Sequence, residues 1–281
     1  MAYKQLWTKM SPGHIVFLID LSGSMELDGK IDYTINVLND VFRTLVGRCI
    51  KRDSVAPKLS CTVIGYNRTA NVIWDDMPIL DIAIKVQKFR KKGVPIFDKN
   101  TEFKPQDQTW MRLAFDEAKK DIEKWMAKQK TANMSIPAPI VINVTDGHPY
   151  EGKEKTWEQV SKETLQSVRT LMNISTPDGN VRVFNIHHDP QNVGTISVFP
   201  SQKPTHPAEQ FLFDASSEMD DETLKTALIK FEEYNISKGA KYMVTNVKEP
   251  SMLLKLIEFG TISQMSEDGS YFSMSYNPQT W

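Results

Sequence analysis

The stretch HIVFLIDLSGS, residues 14–24, joins an apolar run to a polar loop and indicates the fold class of the chain. An apolar run that ends abruptly in polar residues is typical of a strand buried on both faces of a parallel sheet. Similar short runs alternate with longer segments of helical periodicity further along. Strands are predicted at 59–67, 70–76, 138–147 and 181–189, and helices at 30–50, 109–130 and 156–173. This alternation predicts an α/β fold with a mainly parallel sheet covered by helices on both faces.

From residue 190 onward, the sequence patterns that indicate helices and strands are weaker than in the first part of the chain. Residues 190–218 contain four prolines and are predicted to be an irregular connection or a weak further strand. A helix around 219–235, a short strand at 241–247 and a helix at 251–259 complete the prediction. The predicted organisation is an N-terminal segment (1–12), a domain (13–260) with a core (13–190) and a strand–helix extension (191–260), and a loosely held tail (261–281).

Composition excludes several classes of protein. With 34 basic and 35 acidic residues among 281, the chain gives no support for a general nucleic-acid-binding surface. The basic run from Lys85 to Lys92 is predicted to be a solvated helix or loop face. Cys49 and Cys61 fit neither a disulfide framework nor a zinc motif, so we expect two buried thiols. No signal peptide and no apolar run of membrane-spanning length is evident, so we expect a soluble, cytoplasmic protein.

The segment DLSGSMELDGK, residues 20–30, has a glycine–lysine pair that invites comparison with a phosphate-binding loop. A Walker A loop requires glycine, four residues, and then glycine, lysine and a hydroxyl residue. Here Gly23 and Gly29 are separated by five residues, and Lys30 is followed by Ile31, which has no hydroxyl. Three acidic residues in the segment would also repel a triphosphate. We therefore expect Lys30 only to begin the helix behind the loop.

The same segment contains oxygen-bearing side chains in alternation. Asp20, Ser22 and Ser24 are expected to face one side of an extended loop, because alternate side chains of an extended backbone point the same way. A carboxylate and two hydroxyls suit a hard divalent cation such as Mg²⁺, with Mn²⁺ or Ca²⁺ as alternatives. Three oxygens do not complete six-fold coordination. Asp146, which ends an apolar run, and Thr109, which opens the predicted long helix, are the candidates for further ligands.

Three motifs together carry a family resemblance. DLSGS at 20–24, TWMRLAF at 109–115 and VTDG at 144–147 resemble the von Willebrand factor A (VWA) domain and its metal-ion-dependent adhesion site, which holds Mg²⁺. The resemblance implies a Rossmann-like, three-layer αβα fold. It also implies a mostly parallel central sheet with one antiparallel edge strand.

The resemblance assigns a role to each of the five candidate residues. It implies that Ser22 and Ser24 bind the metal directly, and that Thr109 binds it directly or through water. It implies that Asp20 and Asp146 act chiefly through water or as acceptors of hydrogen bonds from the hydroxyls. The implied function is a non-enzymatic protein-binding module, in which the metal recruits an Asp or Glu side chain of a partner protein.

The chain looks most like the bacterial TerY-like, tellurium-resistance-associated branch of the family. This implies a PP2C-type phosphatase or a Ser/Thr protein kinase as candidate partners. From the charge and the apolar runs, we expect no nucleic-acid partner and no membrane span. One departure from the family pattern is Gln108, which stands before Thr109 where glycine is usual. The larger side chain can alter the path of this loop.

Three histidines lie near the predicted strand ends. His148, His187 and His188 are interpreted as a rim that shapes the partner surface, with a second metal or a catalytic histidine as the alternative. Two other functions stay open. Asp20 and Asp146 could support metal-assisted phosphoester hydrolysis, for which no general base is evident beside them. The chain could also be a scaffold that binds its partner without metal.

Overall fold

The apolar run from His14 to Asp20 lies in strand β1 (Gly13–Asp20), which is buried along its whole length in the computed structural model. The structure describes residues 3–51, 54–188, 196–247 and 250–262. An irregular 3₁₀ segment (Gly23–Gly29) and helix α1 (Lys30–Arg48) follow β1. The chain continues with β2 (Ile50–Lys51), β3 (Ser54–Val55), β4 (Leu59–Tyr66), β5 (Ala70–Pro78), α2 (Ile79–Lys92), α3 (Met111–Thr131), β6 (Ile140–Thr145), α4 (Trp157–Met172), β7 (Ser175–Thr176), β8 (Gly179–Asn180), β9 (Arg182–His187), β10 (Ser197–Val198), α5 (Pro207–Asp214), α6 (Asp221–Lys230), β11 (Met243–Thr245) and α7 (Pro250–Ile262).

Within the described ranges, seven strands form one sheet in the order β10-β11-β9-β6-β1-β4-β5. β1 pairs in parallel with β4 and β6, and the parallel pairing continues through β9 to β11. β5 is antiparallel to β4 at one edge, as expected. The two-residue strand β10 adds a second antiparallel pairing at the other edge. The predicted α/β fold with a mostly parallel central sheet is confirmed.

Alternate side chains of the central strands supply two apolar faces. Ile15, Phe17 and Ile19 of β1 pack in one core with residues of α1, α2 and α7. Val16 and Leu18 pack in a second core with residues of α3, α4 and α5. Because both faces are covered, the central strands are continuously apolar, and three layers of helix, sheet and helix result.

Some predicted elements differ from the structure. Residues 190–218 include the short strand β10 but also helix α5, which was not predicted. α5 has proline at its first position, where the fixed φ favours a helix and the missing N–H is not needed. The basic run Lys85–Lys92 forms the second half of α2, whose apolar first half was also not predicted. Position 189, the end of the predicted strand 181–189, lies outside the described residues.

The N-terminal residues pack closely on the domain. The Trp7 indole is fully buried, and a Cβ on Gly13 would lie 2.1 Å from it, so only glycine leaves room for this ring. The backbone amides of Lys4 and Gln5 both donate to Asp178 at 2.9 Å. At the other end, β11 belongs to the central sheet and α7 to its core. Positions 261 and 262 of the predicted tail belong to α7, and positions 263–281 lie outside the described residues.

A buried polar network ties β1 to its neighbours at the strand's beginning. The Nδ1 atom of His14 lies 2.9 Å from the Ser60 hydroxyl oxygen. The Nε2 atom of His14 donates a hydrogen bond to Asp121 at 2.8 Å. Thr62 donates to the second oxygen of Asp121 at 2.9 Å. The Trp125 indole stacks on the imidazole with ring centroids 5.0 Å apart. The network joins β1, β4 and α3 at the end of the sheet opposite Asp20.

The two cysteines are free and fully buried, as predicted. Burial raises the pKa of the Cys49 thiol to about 12 and also raises the pKa of the Cys61 thiol. We therefore expect both thiols to react with Ellman's reagent at least ~100-fold more slowly in native protein than in denaturant. Rapid reaction of either thiol in native protein would contradict the buried positions.

In the described part of the chain, no helix combines the length and apolar composition that crossing a membrane requires.

Candidate metal centre

The carboxyl ends of β1, β6 and β9 lie side by side, because these strands are parallel neighbours. Asp20 ends β1, Thr145 ends β6, and His187 ends β9. Asp146 follows β6 directly. The polar residues that follow the apolar runs therefore converge on one edge of the sheet, where α/β folds commonly bind ligands.

Asp20 is a fully buried carboxylate with both oxygens engaged. The backbone amide of Ser22 donates to one oxygen at 2.8 Å, and the Thr145 hydroxyl donates to the other at 2.6 Å. Burial first, and then the nearby Asp146 carboxylate, raise the pKa of Asp20 to about 7, although the hydrogen bonds from Thr145 and Ser22 oppose the rise. A cation nearby would stabilise the ionised form of this carboxylate.

The two serines connect Asp20 to Asp146. The Ser22 and Ser24 hydroxyls are 3.1 Å apart, and the Ser24 hydroxyl donates to Asp146 Oδ1 at 2.9 Å. Ser22 is buried, whereas Ser24 is exposed to solvent. The structure thus brings four of the five predicted ligand residues into one connected group, which we call the oxygen cluster (Asp20, Ser22, Ser24 and Asp146). The cluster opens to solvent at Ser24.

Lys30, which was expected only to begin a helix, also contacts the oxygen cluster. Its ammonium donates to Asp146 Oδ2 at 2.8 Å, and the side chains of Lys30 and Asp146 are only 9% and 4% exposed. The preceding turn has two consecutive residues with positive φ, Asp28 at 55° and Gly29 at 68°. A Cβ on Gly29 would meet nothing within 4 Å, so the backbone conformation rather than space favours glycine. This turn returns Lys30 to the site.

Thr109 lies in the loop before α3, which begins at Met111 and not at Thr109 as predicted. It pairs with Tyr150 through two backbone hydrogen bonds of 3.1 and 2.9 Å. Two residues earlier, the Asp107 carbonyl accepts a hydrogen bond from the Gly23 amide at 3.1 Å. These bonds hold the loop of Thr109 between the loop that follows β1 and the loop that follows β6.

Gln108, the departure from the family pattern, has its side chain engaged nearby. Its carbonyl oxygen accepts a hydrogen bond from the Trp110 indole at 2.8 Å. Its amide also lies against Gly152, where an added Cβ would be 3.2 Å away. The larger side chain is therefore accommodated while Thr109 stays paired with Tyr150.

The structure corrects the interpretation of His187 and His188 as a partner-binding rim. Their residues are only 3% and 1% exposed. His187 donates to the Asp146 backbone carbonyl at 3.2 Å, and His188 donates to the Val247 carbonyl at 2.8 Å. Burial lowers the pKa of His188, and its hydrogen bond to Val247 only partly opposes this. Buried rings of this kind support the strand ends from inside, so a partner cannot contact them directly.

The exposed surroundings of the cluster are formed by other side chains. His148 is exposed, with its ring 6.0 Å from the Trp157 indole in an edge-on arrangement. The large apolar side chain of Leu27 is 60% exposed, and the aromatic side chain of Tyr150 is 43% exposed. Sequence reasoning missed both of these residues. Their signal was local, since each lies within a few residues of a predicted ligand on the same loop.

The donors present fit a hard divalent cation. Two carboxylates and two hydroxyls offer oxygen alone, which is the ligand type that Mg²⁺, Mn²⁺ and Ca²⁺ prefer. Among the residues that the structure describes, no group of three or more His, Cys, Asp or Glu side chains is arranged to hold a metal. Any cation bound at this edge would therefore depend on the serine hydroxyls as well as the carboxylates.

No protein-family model and no curated protein sequence matches this chain. Solved structures do resemble it. The PilB minor pilin of Streptococcus sanguinis is 12% identical, with 91% of this chain and 62% of the pilin covered and a TM-score of 0.53. A von Willebrand factor type A protein of Catenulispora acidiphila is 11% identical, with 64% of this chain and 34% of that chain covered and a TM-score of 0.42.

A third solved structure is described as a manganese-loaded TRAP protein of Plasmodium vivax. It is 18% identical to this chain, with 89% of this chain and 73% of that chain covered and a TM-score of 0.44. The chain spans only about a third of the Catenulispora protein and less than two thirds of the pilin. At these identities the similarity concerns the fold alone. In fold, this chain is similar to the PilB minor pilin, at a TM-score of 0.53.

Proposed function

We propose that the chain is a metal-dependent protein-binding module, in which a divalent cation recruits an acidic side chain of a partner. The observation that carries this proposal is the oxygen cluster at the edge where three parallel strands end. Ser22 and Ser24 would bind the cation, Mg²⁺ in the first place and Mn²⁺ or Ca²⁺ as alternatives. Thr109 would bind directly or through water, while Asp20 and Asp146 would act through water or as hydrogen-bond acceptors.

The positive charge of such a metal centre would favour the binding of a partner's carboxylate. A divalent cation held largely by neutral hydroxyls and water keeps much of its positive charge, because these ligands carry no formal charge. A carboxylate from a partner can displace water and compensate that charge. This requires no bond to be broken in the partner, so we propose that the module is not an enzyme.

The surface around the cluster suits a protein partner. Leu27, His148 and Tyr150 are exposed on the loops that surround the candidate metal centre. Exposed aromatic and aliphatic side chains are the usual anchors of protein interfaces. We propose that these three residues contact the partner around the metal-bound carboxylate.

The proposed branch of the family and the proposed partners rest on the resemblance of the three motifs. We propose a bacterial, cytoplasmic protein of the TerY-like, tellurium-resistance-associated kind. Its candidate partners are a PP2C-type phosphatase and a Ser/Thr protein kinase. The near-neutral charge of the chain supports a protein partner in preference to nucleic acid.

Two measurements test the proposed function. Calorimetric titration with Mg²⁺ and with Mn²⁺ is expected to show one site, and the cation is expected to raise the melting temperature. Immobilised protein is expected to retain an acidic-surfaced partner in Mg²⁺ and release it in EDTA. Absence of cation binding up to ~10 mM, a concentration at which only very weak sites stay empty, would overturn the proposal.

The same measurements separate the alternatives. A partner retained equally in EDTA would favour a scaffold that needs no metal. Metal-dependent turnover of a phosphoester such as p-nitrophenyl phosphate, lost in Asp146→Ala, would favour the hydrolase. Either result would contradict the proposed function as stated.

A further inference from the structure

The candidate metal centre already contains a positive charge of its own. Lys30 and Asp146 form an ion pair of 2.8 Å whose side chains are almost fully buried. The second Asp146 oxygen accepts the Ser24 hydroxyl, so the ammonium lies on a carboxylate that belongs to the oxygen cluster. Any cation that binds the cluster must therefore bind beside this ammonium.

The amino end of helix α1 is an unfavourable place for the positive charge of Lys30 unless an anion lies close to it. Lys30 is the first residue of α1, and the preceding Gly29 provides no side-chain cap. The amino end of a helix carries partial positive charge, so a cation there destabilises the helix unless an anion compensates it. The ion pair with Asp146 supplies that anion.

Lys30 reduces the negative charge that the centre offers to a cation. Asp20 and Asp146 offer two negative charges when ionised, and Lys30 cancels one of them. A divalent cation alone would then leave the centre with one uncompensated positive charge in a poorly solvated place, which is unfavourable. One further carboxylate, supplied from outside, would restore neutrality.

We infer that Lys30 competes with the divalent cation for Asp146 and makes stable metal loading depend on an acidic partner. This inference rests on the proposed function, and it adds that the cation and the partner's carboxylate bind cooperatively. Free protein holds the cation weakly because of the ammonium. Protein with a bound carboxylate holds the cation tightly, because the extra charge is compensated.

The test compares Lys30→Met with the wild type, using Mn²⁺ alone as the probe and calorimetry or electron paramagnetic resonance as the readout. Methionine keeps a similar side-chain length and removes the charge. We expect Lys30→Met to bind Mn²⁺ at least ~10-fold more tightly, because one repelling charge close to the ion is gone. Lys30→Arg keeps the charge and is expected to stay within about threefold of the wild type.

Lys99→Met is the matched control. Lys99 pairs with Glu26 at 3.3 Å and Asp32 at 2.9 Å, close to the same loop but in solvent. Its removal is expected to change Mn²⁺ affinity by less than about twofold, because exposed charges are screened. A similar gain in Lys99→Met and Lys30→Met would show a general charge effect and overturn the inference.

A second readout does not depend on affinity. In EDTA, Lys30→Met is expected to melt below the wild type by a few degrees, about 2–4 °C, because Asp146 loses its buried counter-ion. Saturating Mn²⁺ is expected to remove this difference in melting temperature, since the metal replaces the ammonium. Lower stability in EDTA that Mn²⁺ fails to restore would overturn the inference.

The outcomes for the inference and for the proposed function are distinct. Equal Mn²⁺ affinity in wild type and Lys30→Met would overturn the inference and leave the proposed function standing. Binding by Lys30→Met alone would support the inference, and the release of the partner from wild-type protein in EDTA would then decide the proposed function. Binding by neither protein would overturn both.

Discussion

Asp20→Asn is expected to weaken divalent-cation binding by roughly 100-fold or more while leaving the fold intact. Asparagine has nearly the same shape, and its side-chain oxygen can still accept the Ser22 amide. Its amide group can donate to the Thr145 hydroxyl, which now donates to Asp20. Only the negative charge is lost, and in the proposed centre that charge compensates the cation.

The same variant is expected to be at least as stable as the wild type in EDTA at pH 8. Burial raises the pKa of Asp20 to about 7, so the folded wild-type protein carries this charge unfavourably above that pH. A carboxyl with a raised pKa favours folding at low pH and loses that contribution as the pH rises from about 4 to about 7. Asparagine removes the unfavourable charge.

The control for Asp20→Asn is Glu26→Gln, since Glu26 lies on the same loop but forms an exposed ion pair with Lys99. This control is expected to change cation affinity by less than about twofold. Calorimetric titration with Mg²⁺ and thermal melting in EDTA are the two measurements. Retained affinity in Asp20→Asn would contradict the assigned role of Asp20. A large loss of stability in EDTA would show that its charge is structural.

Asp121→Ala is expected to lower the free energy of unfolding by about 3 kcal/mol, measured by urea denaturation. Asp121 accepts hydrogen bonds from His14 and Thr62, and all three residues are buried. Alanine would leave a ring N–H and a hydroxyl without their acceptor and would open a gap beside Trp125. The expected loss is a large part of the stability of an ordinary domain.

Asp116→Ala is the matched control for Asp121→Ala. Asp116 lies on the same helix and forms an i,i+4 pair with Arg112, with side-chain exposures of 39% and 29%. Its loss is expected to change the free energy of unfolding by less than about 0.5 kcal/mol. A similar small effect of Asp121→Ala would refute the view that the His14 network fastens β1 to β4 and α3.

Asp121→Ala and Asp20→Asn probe opposite ends of β1, one with a structural role and the other with the proposed functional role. The His14 network lies at the beginning of the strand, and Asp20 lies at its carboxyl end, six residues after His14. At about 3.3 Å per residue, the two groups are roughly 20 Å apart. We therefore expect Asp121→Ala to reduce stability without changing Mg²⁺ affinity in the folded fraction.

The architecture was largely predictable because its main signals are local. A strand covered on both faces must be apolar at every position, as residues 15–19 are, and such strands belong to parallel sheets. α1 shows its apolar stripe at helical spacing, with Ile31, Ile35, Leu38 and Phe42 all buried. Helix α5 was missed because prolines surround it, although a proline at the first position is compatible with a helix.

The convergence of the oxygen cluster was also predictable, since it needs only the rule that parallel strands end at one edge. That rule places Asp20 and Asp146 together without any knowledge of their side-chain contacts. It does not give the path of the connecting loops. Thr109 was therefore expected to open the long helix, whereas the structure pairs it with Tyr150 in the loop before α3.

The sequence by itself determined the fold class, the buried strands and the group of residues at their carboxyl ends, because periodicity and strand direction suffice for these. Only the tertiary structure decided which side chains face that group. The return of Lys30 depends on two residues with positive φ, and the burial of His187 and His188 depends on neighbouring strands and loops that are distant in sequence. Such contacts depend on three-dimensional packing, and no local pattern of residues encodes them.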